Sequence, residues 1–353
     1  MFLFVIILDV EVLFMENIYN LTKEQYEEYF ISINDKKFRA TQLYEYLYKK
    51  RVKSIEQCSN LGNNIKSKLK DDFNFNLIKI LIKQEDKDVK KYLFELEDKE
   101  KIESVVMFHD YGISVCISSQ VGCNMGCKFC ESGRLKKRRN LYAYEMVQQL
   151  LLIEQDIGKR ISHIVIMGIG EPFDNYDNVM NFIKIVTEPK GMDIGTRHIT
   201  VSTSGIVPKI KEFANEKGQV NLAISLHAPN DEIRNKIMPI SKLYKMEDLI
   251  DSLKEYIKKT NRRVTIEYIM LSGINDSIDN AKELSNLLKG INCYVNLIPY
   301  NETENIEFKR TKNSQIMKFY DILKKSNINV TIRKEFGSKV DAACGQLRAN
   351  QEI

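Results

Sequence analysis

The sequence of 353 residues lacks the segments that place a chain in a membrane or export it. Its opening apolar run ends at Asp9, well short of the roughly 20 residues that a membrane-spanning helix needs. The same segment has no basic start and no small-residue cleavage site of a signal peptide. Six prolines leave no proline-rich linker. We therefore expect a cytoplasmic protein without a membrane partner, whose cysteines serve as ligands, catalysts or core residues.

The composition is that of a globular protein. The hydrophobic fraction is 43% and the mean hydropathy is -0.32, which suits one large domain with a smaller attachment. The formal net charge of +5 is compatible with a polyanionic partner but does not identify one. We interpret residues 1–14 as an upstream extension, with translation starting at Met15; an extra strand or a tail is the alternative.

Residues 15–108 predict an accessory region of helices followed by a small antiparallel sheet. Across 20–72 the apolar pattern is helical, and Thr22 with Gln25 forms a capping box. Across 77–108 apolar residues alternate with other residues, with charged turns between the runs.

Downstream of this region, short β-rich runs alternate with amphipathic helical stretches. This order predicts parallel strands joined by helical crossovers, hence an α/β sheet or a partial or full barrel. Several runs end in small or polar residues, at the strand ends where such folds bind ligands. The runs are 113–118, 163–168, 198–203, 220–226, 263–270, 293–299 and 329–333.

Three cysteines lie close together in a glycine-containing loop after the first of these runs: Cys123, Cys127 and Cys130. Structural zinc normally takes four ligands, and a nearby fourth cysteine partner is missing. Three thiolates on a [4Fe–4S] cube would leave one iron open to bind a substrate directly. The alternative is a zinc knuckle completed by Cys116 or by a distant residue.

Two further cysteines have informative neighbours. Cys116 lies on the strand that leads into the cysteine loop, and Cys344 lies among the small residues of 342–345. Small side chains would let another molecule approach the Cys344 sulfur. Taken alone, either cysteine would be interpreted as a buried apolar residue.

The spacing CxxxCxxC resembles the radical S-adenosylmethionine (SAM) superfamily, and longer stretches resemble its RlmN/Cfr family of RNA methyltransferases across nearly all of residues 15–350. Those stretches are CISSQVGCNMGCKFC, VDAACGQLRA, KFRATQLYEYLYKKRV, VIMGIGEPFDNYDN, RHITVSTSGIVPKI, AISLHAPNDEIR and VNLIPYN. The resemblance implies a partial (βα)6-type radical SAM barrel at 109–342. It also implies an RNA-binding domain at 15–108 and a C-terminal segment at 343–353 following the catalytic cysteine region.

The resemblance implies methylation of C2 of adenosine 2503 in 23S rRNA, with C2 of adenosine 37 in tRNA as a second target. The implied cofactors are a [4Fe–4S] cluster and two SAM molecules per turnover, with an electron donor such as flavodoxin or ferredoxin, and the implied state is a monomer. In the implied mechanism Cys344 takes a methyl group from one SAM, and a radical from the second SAM converts it to a methylene radical that adds to the adenine. Attack by Cys116 then releases the product and leaves a Cys116–Cys344 disulfide.

The resemblance also assigns site residues. Glu103 is the implied proton acceptor, with Cys116 as a rival; without the resemblance Glu103 would be interpreted as a sheet-edge carboxylate facing water. The implied cluster ligands are Cys123, Cys127 and Cys130. The implied SAM contacts are Gly170, Glu171, Ser202, Ser225, Leu226, His227 and Asn301.

Two basic stretches have more than one interpretation. Arg134–Arg139 carries five positive charges in six residues, which fits either a solvated loop or contacts to RNA phosphates. The stretch 38–53 combines aromatic and basic residues, as either a packed helix with a charged face or an RNA surface. Glu131, Ser132 and Lys136 depart from the family pattern.

Alternatives to C2 methylation remain at this point. Cfr-type methylation of C8 would give antibiotic resistance; SQVGC, GEPFDN and NLIPYN favour the C2 enzymes, whereas Phe336 and the basic loop favour Cfr. A non-enzymatic iron–sulfur or zinc RNA-binding protein would not need Cys116 and Cys344. A radical methylthiotransferase would need a second cysteine cluster, which the sequence lacks.

Overall fold

The structure, a computed structural model, describes residues 15–333, so the expectations for 1–14 and for Cys344 lie outside the described residues. The helices are α1 (Lys23–Ser32), α2 (Phe38–Tyr44), α3 (Asn63–Asp72), α4 (Ala143–Ile157), α5 (Tyr176–Thr187), α6 (Val207–Phe213), α7 (Asp231–Ile237), α8 (Met246–Thr260), α9 (Ile278–Leu287) and α10 (Asn313–Lys325). The strands are β1 (Glu16–Asn17), β2 (Phe73–Asn74), β3 (Lys79–Asp86), β4 (Val89–Glu95), β5 (Lys101–His109), β6 (Gly112–Ile117), β7 (Gln120–Val121), β8 (Arg139–Asn140), β9 (His163–Ile166), β10 (Ile199–Thr203), β11 (Asn221–Ser225), β12 (Val264–Met270), β13 (Cys293–Pro299) and β14 (Asn329–Ile332).

Ten strands form one sheet in the order β14-β13-β12-β11-β10-β9-β6-β5-β4-β3. From β6 to β14 neighbouring strands are parallel, and from β3 to β6 they are antiparallel. All seven predicted strand runs are therefore confirmed, as six strand–helix units followed by β14. Within residues 15–333 the sheet does not close, which confirms a partial barrel with an antiparallel extension.

The two faces of the parallel strands differ in chemistry because successive side chains alternate between faces. One face presents fully buried aliphatic residues such as Ile166, Val201 and Ile266, which share a core with residues of the surrounding helices. The other face carries polar residues; Ser225 lies beside Glu267 in the register of β11 and β12, and Glu267 lies beside Asn296 of β13. A polar face inside a partial barrel is a surface that can bind a polar ligand.

The N-terminal helices pack against the barrel rather than standing apart from it. The predicted capping box of Thr22 and Gln25 starts α1, and buried residues of α1–α3 belong to the same hydrophobic core as the sheet. The boundary predicted at 108/109 falls in the hairpin of β5 and β6, and the domain division itself stays a prediction. No helix within residues 15–333 is long and apolar enough to cross a membrane.

Candidate functional site

The cysteine loop connects β7 to β8 and is held by backbone contacts at both ends. Cys123 N donates to Leu135 O at 2.9 Å, and Lys128 N donates to Ile237 O at 2.9 Å. Gly122 has a φ of 73°, and a Cβ there would lie 2.1 Å from Lys136 O, so no larger residue fits. The loop is therefore folded back on itself by its own backbone contacts.

The three loop cysteines open into one pocket at the carboxyl ends of the parallel strands, with about 900 Å³ of space when its opening to solvent is included. Its other walls come from the ends of β9, β10, β11, β12 and β13. The lining residues include Cys123, Cys127, Cys130, Phe129, Met167, Gly170, Glu171, Ser202, Ser204, Ser225, His227, Glu267 and Arg333. Eight of the residues predicted as cluster or SAM contacts therefore meet in one pocket.

Two predicted SAM contacts do not line this pocket. Leu226 is fully buried in the hydrophobic core, so its side chain faces away from a polar ligand. Asn301 follows the end of β13 and is half-buried outside the set of lining residues. Their assigned roles stay predictions. Glu267 and Arg333 line the pocket without having been predicted, because alternation along a strand does not reveal which face closes around a ligand.

Gly170 and Glu171 form the turn after β9. Gly170 has a φ of 111°, and a Cβ there would lie 2.6 Å from the Gln120 side chain. The buried Glu171 carboxylate accepts bonds from Phe173 N at 3.0 Å and Ser204 N at 2.7 Å. Burial raises the pKa of Glu171 despite these bonds. The carboxylate thus joins the ends of two strands while it lines the pocket.

His227 is neutral and fixed in one tautomer. Its Nδ1 accepts a bond from Ile269 N at 3.0 Å, so the ring proton is on Nε2. Burial lowers the pKa of His227 to about 3. The ring also meets the edge of Phe129 in the cysteine loop, with 4.9 Å between ring centroids. His227 therefore connects the end of β11 to the cysteine loop as a neutral donor.

The donor set in the cysteine loop fits an iron–sulfur cluster. Three thiols share the pocket, and burial raises the pKa of Cys123 to about 12 and that of Cys127 well above its usual range, so these thiols must release protons on binding iron. Within residues 15–333 no group of three or more Cys, His, Asp or Glu side chains is arranged to hold a single metal ion. A cube holds each thiolate on a separate iron, so its ligands need not converge on one point.

Arg234 is a buried charge behind the pocket that the sequence did not single out. Its side chain is fully buried and donates to Ser204 O at 2.6 Å and to Leu226 O at 3.2 Å. Burial lowers the pKa of Arg234 to about 10, and the nearby Cys127 opposes this shift. One guanidinium therefore ties together the ends of β10 and β11 beside the cysteine loop. The sequence could have indicated this residue, because Arg234 ends the stretch AISLHAPNDEIR that resembles the family.

Cys116 and Glu103 lie beside the pocket rather than in its lining. In the register of β5 and β6, Cys116 is opposite Val105, so Glu103 lies on the same sheet face, diagonal to Cys116. Cys116 belongs to the same small apolar cluster as Ile169; Met167 packs against that cluster and also lines the pocket. Glu103 is only 3% exposed. The alternative interpretation of Glu103 as a carboxylate facing water is therefore wrong.

The basic run is largely bound to protein groups. Lys137 pairs with Asp174 at 2.8 Å, Arg138 pairs with Glu100, and Arg139 pairs with both Asp98 and Glu145. Arg134 donates to the backbone of Asn305. Lys137 and Arg139 are partly buried in these pairs, whereas Arg134, Lys136 and Arg138 are exposed, so both a solvated loop and contacts to RNA phosphates stay open for those three. In the stretch 38–53 the tyrosines of 44–48 are buried and the lysines at 49–50 are exposed, which favours a packed helix with a charged face.

Two family models match the chain. The radical SAM superfamily model covers residues 117–284. A model described as the ribosomal RNA large subunit methyltransferase N-terminal domain covers residues 16–74.

Full-length relatives match as well. A protein of Enterococcus faecalis, named probable dual-specificity RNA methyltransferase RlmN, is 53% identical over 345 residues, covering 95% of this chain and 97% of that protein. An Acholeplasma laidlawii protein of the same name is 51% identical over 333 residues, covering 94% of this chain and 98% of that protein. The crystal structure of a radical SAM methyltransferase from Sphaerobacter thermophilus has a TM-score of 0.90 at 38% identity, covering 95% of this chain and all of that chain.

Proposed function

Because the chain belongs to the RlmN family of radical SAM RNA methyltransferases, we propose that it methylates C2 of adenosine 2503 in 23S rRNA and, as a second substrate, C2 of adenosine 37 in tRNA. The observation that supports this proposal most is the pocket that joins the three loop thiols to the ends of the parallel strands. The relatives named dual-specificity RNA methyltransferases support an RNA substrate of two kinds.

Each part of the pocket has a role in this proposal. The three loop cysteines hold the cluster, and Gly170, Glu171, Ser202, Ser225 and His227 bind SAM at the strand ends. The cluster and SAM supply a 5′-deoxyadenosyl radical when bound and reduced. The neutral His227 and the backbone of the turn after β9 offer hydrogen-bonding groups without adding a positive charge beside the sulfonium of SAM. Leu226 contributes through its backbone, and Asn301 from the loop after β13.

The remaining proposed roles concern the acceptor side. Cys344 carries the methyl group as S-methylcysteine, with two SAM molecules consumed per turnover. Glu103 accepts the proton that leaves the adenine carbon. Cys116 attacks the sulfur of Cys344, forms the Cys116–Cys344 disulfide and so releases the methylated base, after which a reductant restores both thiols. The support for Glu103 and Cys116 is their common sheet face next to Met167 and Ile169 at the pocket.

Anaerobic turnover tests the proposal. The reconstituted protein is incubated with SAM, flavodoxin as electron donor and an rRNA fragment or tRNA, and the nucleosides are separated by mass and chromatography. We expect 2-methyladenosine from both RNAs. The Cys344→Ser variant should give none, and Cys116→Ser should leave RNA linked covalently to the protein. 8-Methyladenosine would assign the enzyme to the Cfr type, and RNA binding without methylation by a cluster-loaded protein would refute methyl transfer.

A further inference from the structure

We propose that Lys91 is a positioning residue that pairs with the buried carboxylate of Glu103 and orients it to accept the proton from the adenine carbon. Lys91 lies on β4, and its Nζ is 2.9 Å from Glu103 Oε1. This inference rests on the proposed function, because it assumes that Glu103 is the proton acceptor. It adds a residue outside the cluster and SAM sites.

Among the ion pairs within residues 15–333, the pair of Lys91 and Glu103 is the one in which both side chains are most buried. The side chains of Lys91 and Glu103 are 7% and 4% exposed. Even the partly buried pairs Arg51–Glu154 and Arg139–Glu145 leave their arginines 39% and 26% exposed. Removing two charges from water has a large desolvation cost, and a well-packed apolar pair at such a position is often as stable or more stable.

The surroundings show that packing does not require this pair. Four neighbouring residues on the same face of β4 and β5 are apolar and buried, namely Val89, Leu93, Val105 and Met107, and the polar pair of positions Glu95 and Lys101 lies only on the turn side of Glu103. Apolar side chains at 91 and 103 would continue that surface without any desolvation cost. A matched ammonium and carboxylate at this place therefore points to a use for the carboxylate.

The position of Glu103 suits proton transfer at the pocket. Ser118 Oγ donates to Glu103 O at 2.6 Å, and Ile169 N donates to Ser118 Oγ at 3.0 Å. These bonds link the backbone of Glu103 to the turn that carries Gly170. The other titratable groups on this face of β3–β6 are Cys116, diagonal to Glu103, and Lys101 and Glu95, next to Glu103 at the turn end of the β4–β5 hairpin. Asp86 on β3 lies diagonal to Lys91, and Lys79 and His109 lie further along the face.

The proton step balances in atoms and charge: the C–H bond of the adenine carbon breaks, its electron pair stays in the RNA adduct, and an O–H bond forms on Glu103. The unpaired electron that the methylene radical brought to the adduct would return to the cluster, which gave up one electron when SAM was cleaved. A buried carboxylate can act as a base only while it is charged, and a buried charge requires a partner of opposite sign. Lys91 supplies that partner.

The test separates proton transfer from the earlier methylation of Cys344. In Lys91→Met, we expect S-methylation of Cys344 and iron content to match the wild type to within about twofold, while thermal stability falls because the buried Glu103 loses its cation. Release of methylated RNA should fall at least about tenfold, with covalent RNA–protein adduct accumulating. Lys91→Arg, which keeps the charge, should recover most of the rate. Lys90→Met is the matched control, since Lys90 lies on the other face of β4 and pairs with the exposed Glu85.

A double-mutant cycle then shows whether Lys91 acts through Glu103. On the Glu103→Gln background, Lys91→Met should change the release rate by less than about twofold, because the group that it serves is gone. The inference would be overturned if the effects of the two substitutions on the release rate were fully additive. It would also be overturned if Lys91→Met released methylated RNA at the normal rate, or if it lost S-methylation and release equally. An inactive wild-type enzyme with an intact cluster would overturn the proposed function together with it.

Discussion

Gly170 and His227 line the same pocket with positive φ angles, 111° and 57°. The reasons for the residue type differ. At Gly170 a Cβ would lie 2.6 Å from Gln120, so the position cannot hold a side chain without moving β7. At His227 the backbone adopts a left-handed conformation that costs on the order of 1–2 kcal/mol for a residue with a side chain, and the bond from Ile269 N to Nδ1 offsets part of that cost. Single positions thus set the pocket's shape.

We expect Gly170→Ala to lower the free energy of unfolding by about 2–5 kcal/mol and to weaken SAM binding at least about tenfold, because φ strain adds to the clash with Gln120. Chemical denaturation and equilibrium dialysis with SAM measure the two effects. Gly290→Ala is the matched control: Gly290 has a φ of 79°, but a Cβ there meets nothing within 4 Å. A Gly170→Ala protein no less stable than Gly290→Ala, with normal SAM affinity, would contradict this prediction.

At the scale of elements, the cysteine loop is fixed by the segment that follows it. Arg139 on β8 forms two bonds of 2.8 Å with the buried Glu145 of α4, and a further pair with Asp98 in the turn between β4 and β5. Lys137 reaches Asp174, which also accepts a bond from Gln120 at 2.9 Å. The basic run therefore connects the loop to three separate elements.

This connection leads to a prediction about Arg139→Gln. Because Glu145 is only 1% exposed, removing its cation leaves a buried carboxylate without its main partner. We expect a loss of about 1–3 kcal/mol in the free energy of unfolding, discounted for the partial exposure of Arg139. At each salt concentration of a series, the dissociation constant of Arg139→Gln for an rRNA fragment should equal that of the wild type, because Arg139 is paired with protein carboxylates.

The exposed Lys136 provides the comparison for this experiment. Lys136→Gln should leave stability within about 0.5 kcal/mol of the wild type. If Arg139→Gln instead kept full stability and reduced the salt dependence of RNA binding by about one phosphate contact, the run would be an RNA surface. The sequence alone did not distinguish these cases, because the partners at 98, 100 and 174 are distant along the chain.

At the scale of the whole molecule, local patterns predicted the elements and their chemistry better than their arrangement. The seven parallel strands, the cysteine loop and the start of α1 follow from periodicity, spacing and capping, which are local. The continuation of the parallel sheet into β5, β4 and β3 depends on the pairing of Val105 with Cys116. The pairing of Lys91 with Glu103 depends on the register of β4 and β5. Register is set by the packed sheet, so neither contact could be derived from the sequence.

A buried side chain of α4 adds polar contacts to the shared core that joins the N-terminal region to the barrel. Gln148 is fully buried; its Oε1 accepts from Ile78 N at 2.9 Å, and its Nε2 donates to Asn76 O at 2.8 Å. Asn17 donates to the same Asn76 O at 2.8 Å. One amide thereby satisfies the backbone between β2 and β3, where the helical region joins the sheet.

We expect Gln148→Leu to lower the free energy of unfolding by about 2–4 kcal/mol, because a buried N–H and a buried C=O each lose a partner. Gln155→Leu, an exposed site on the same helix, should change stability by less than about 0.5 kcal/mol. Hydrogen exchange locates the effect: amides of residues 16–74 should exchange faster in Gln148→Leu, while those of β10–β12 keep their protection.

Since the helical region shares its core with the sheet, denaturation should still show one transition. Two separate transitions in the wild-type protein would show instead that the N-terminal region unfolds on its own, and Gln148 would then stabilise an interface between two independent units.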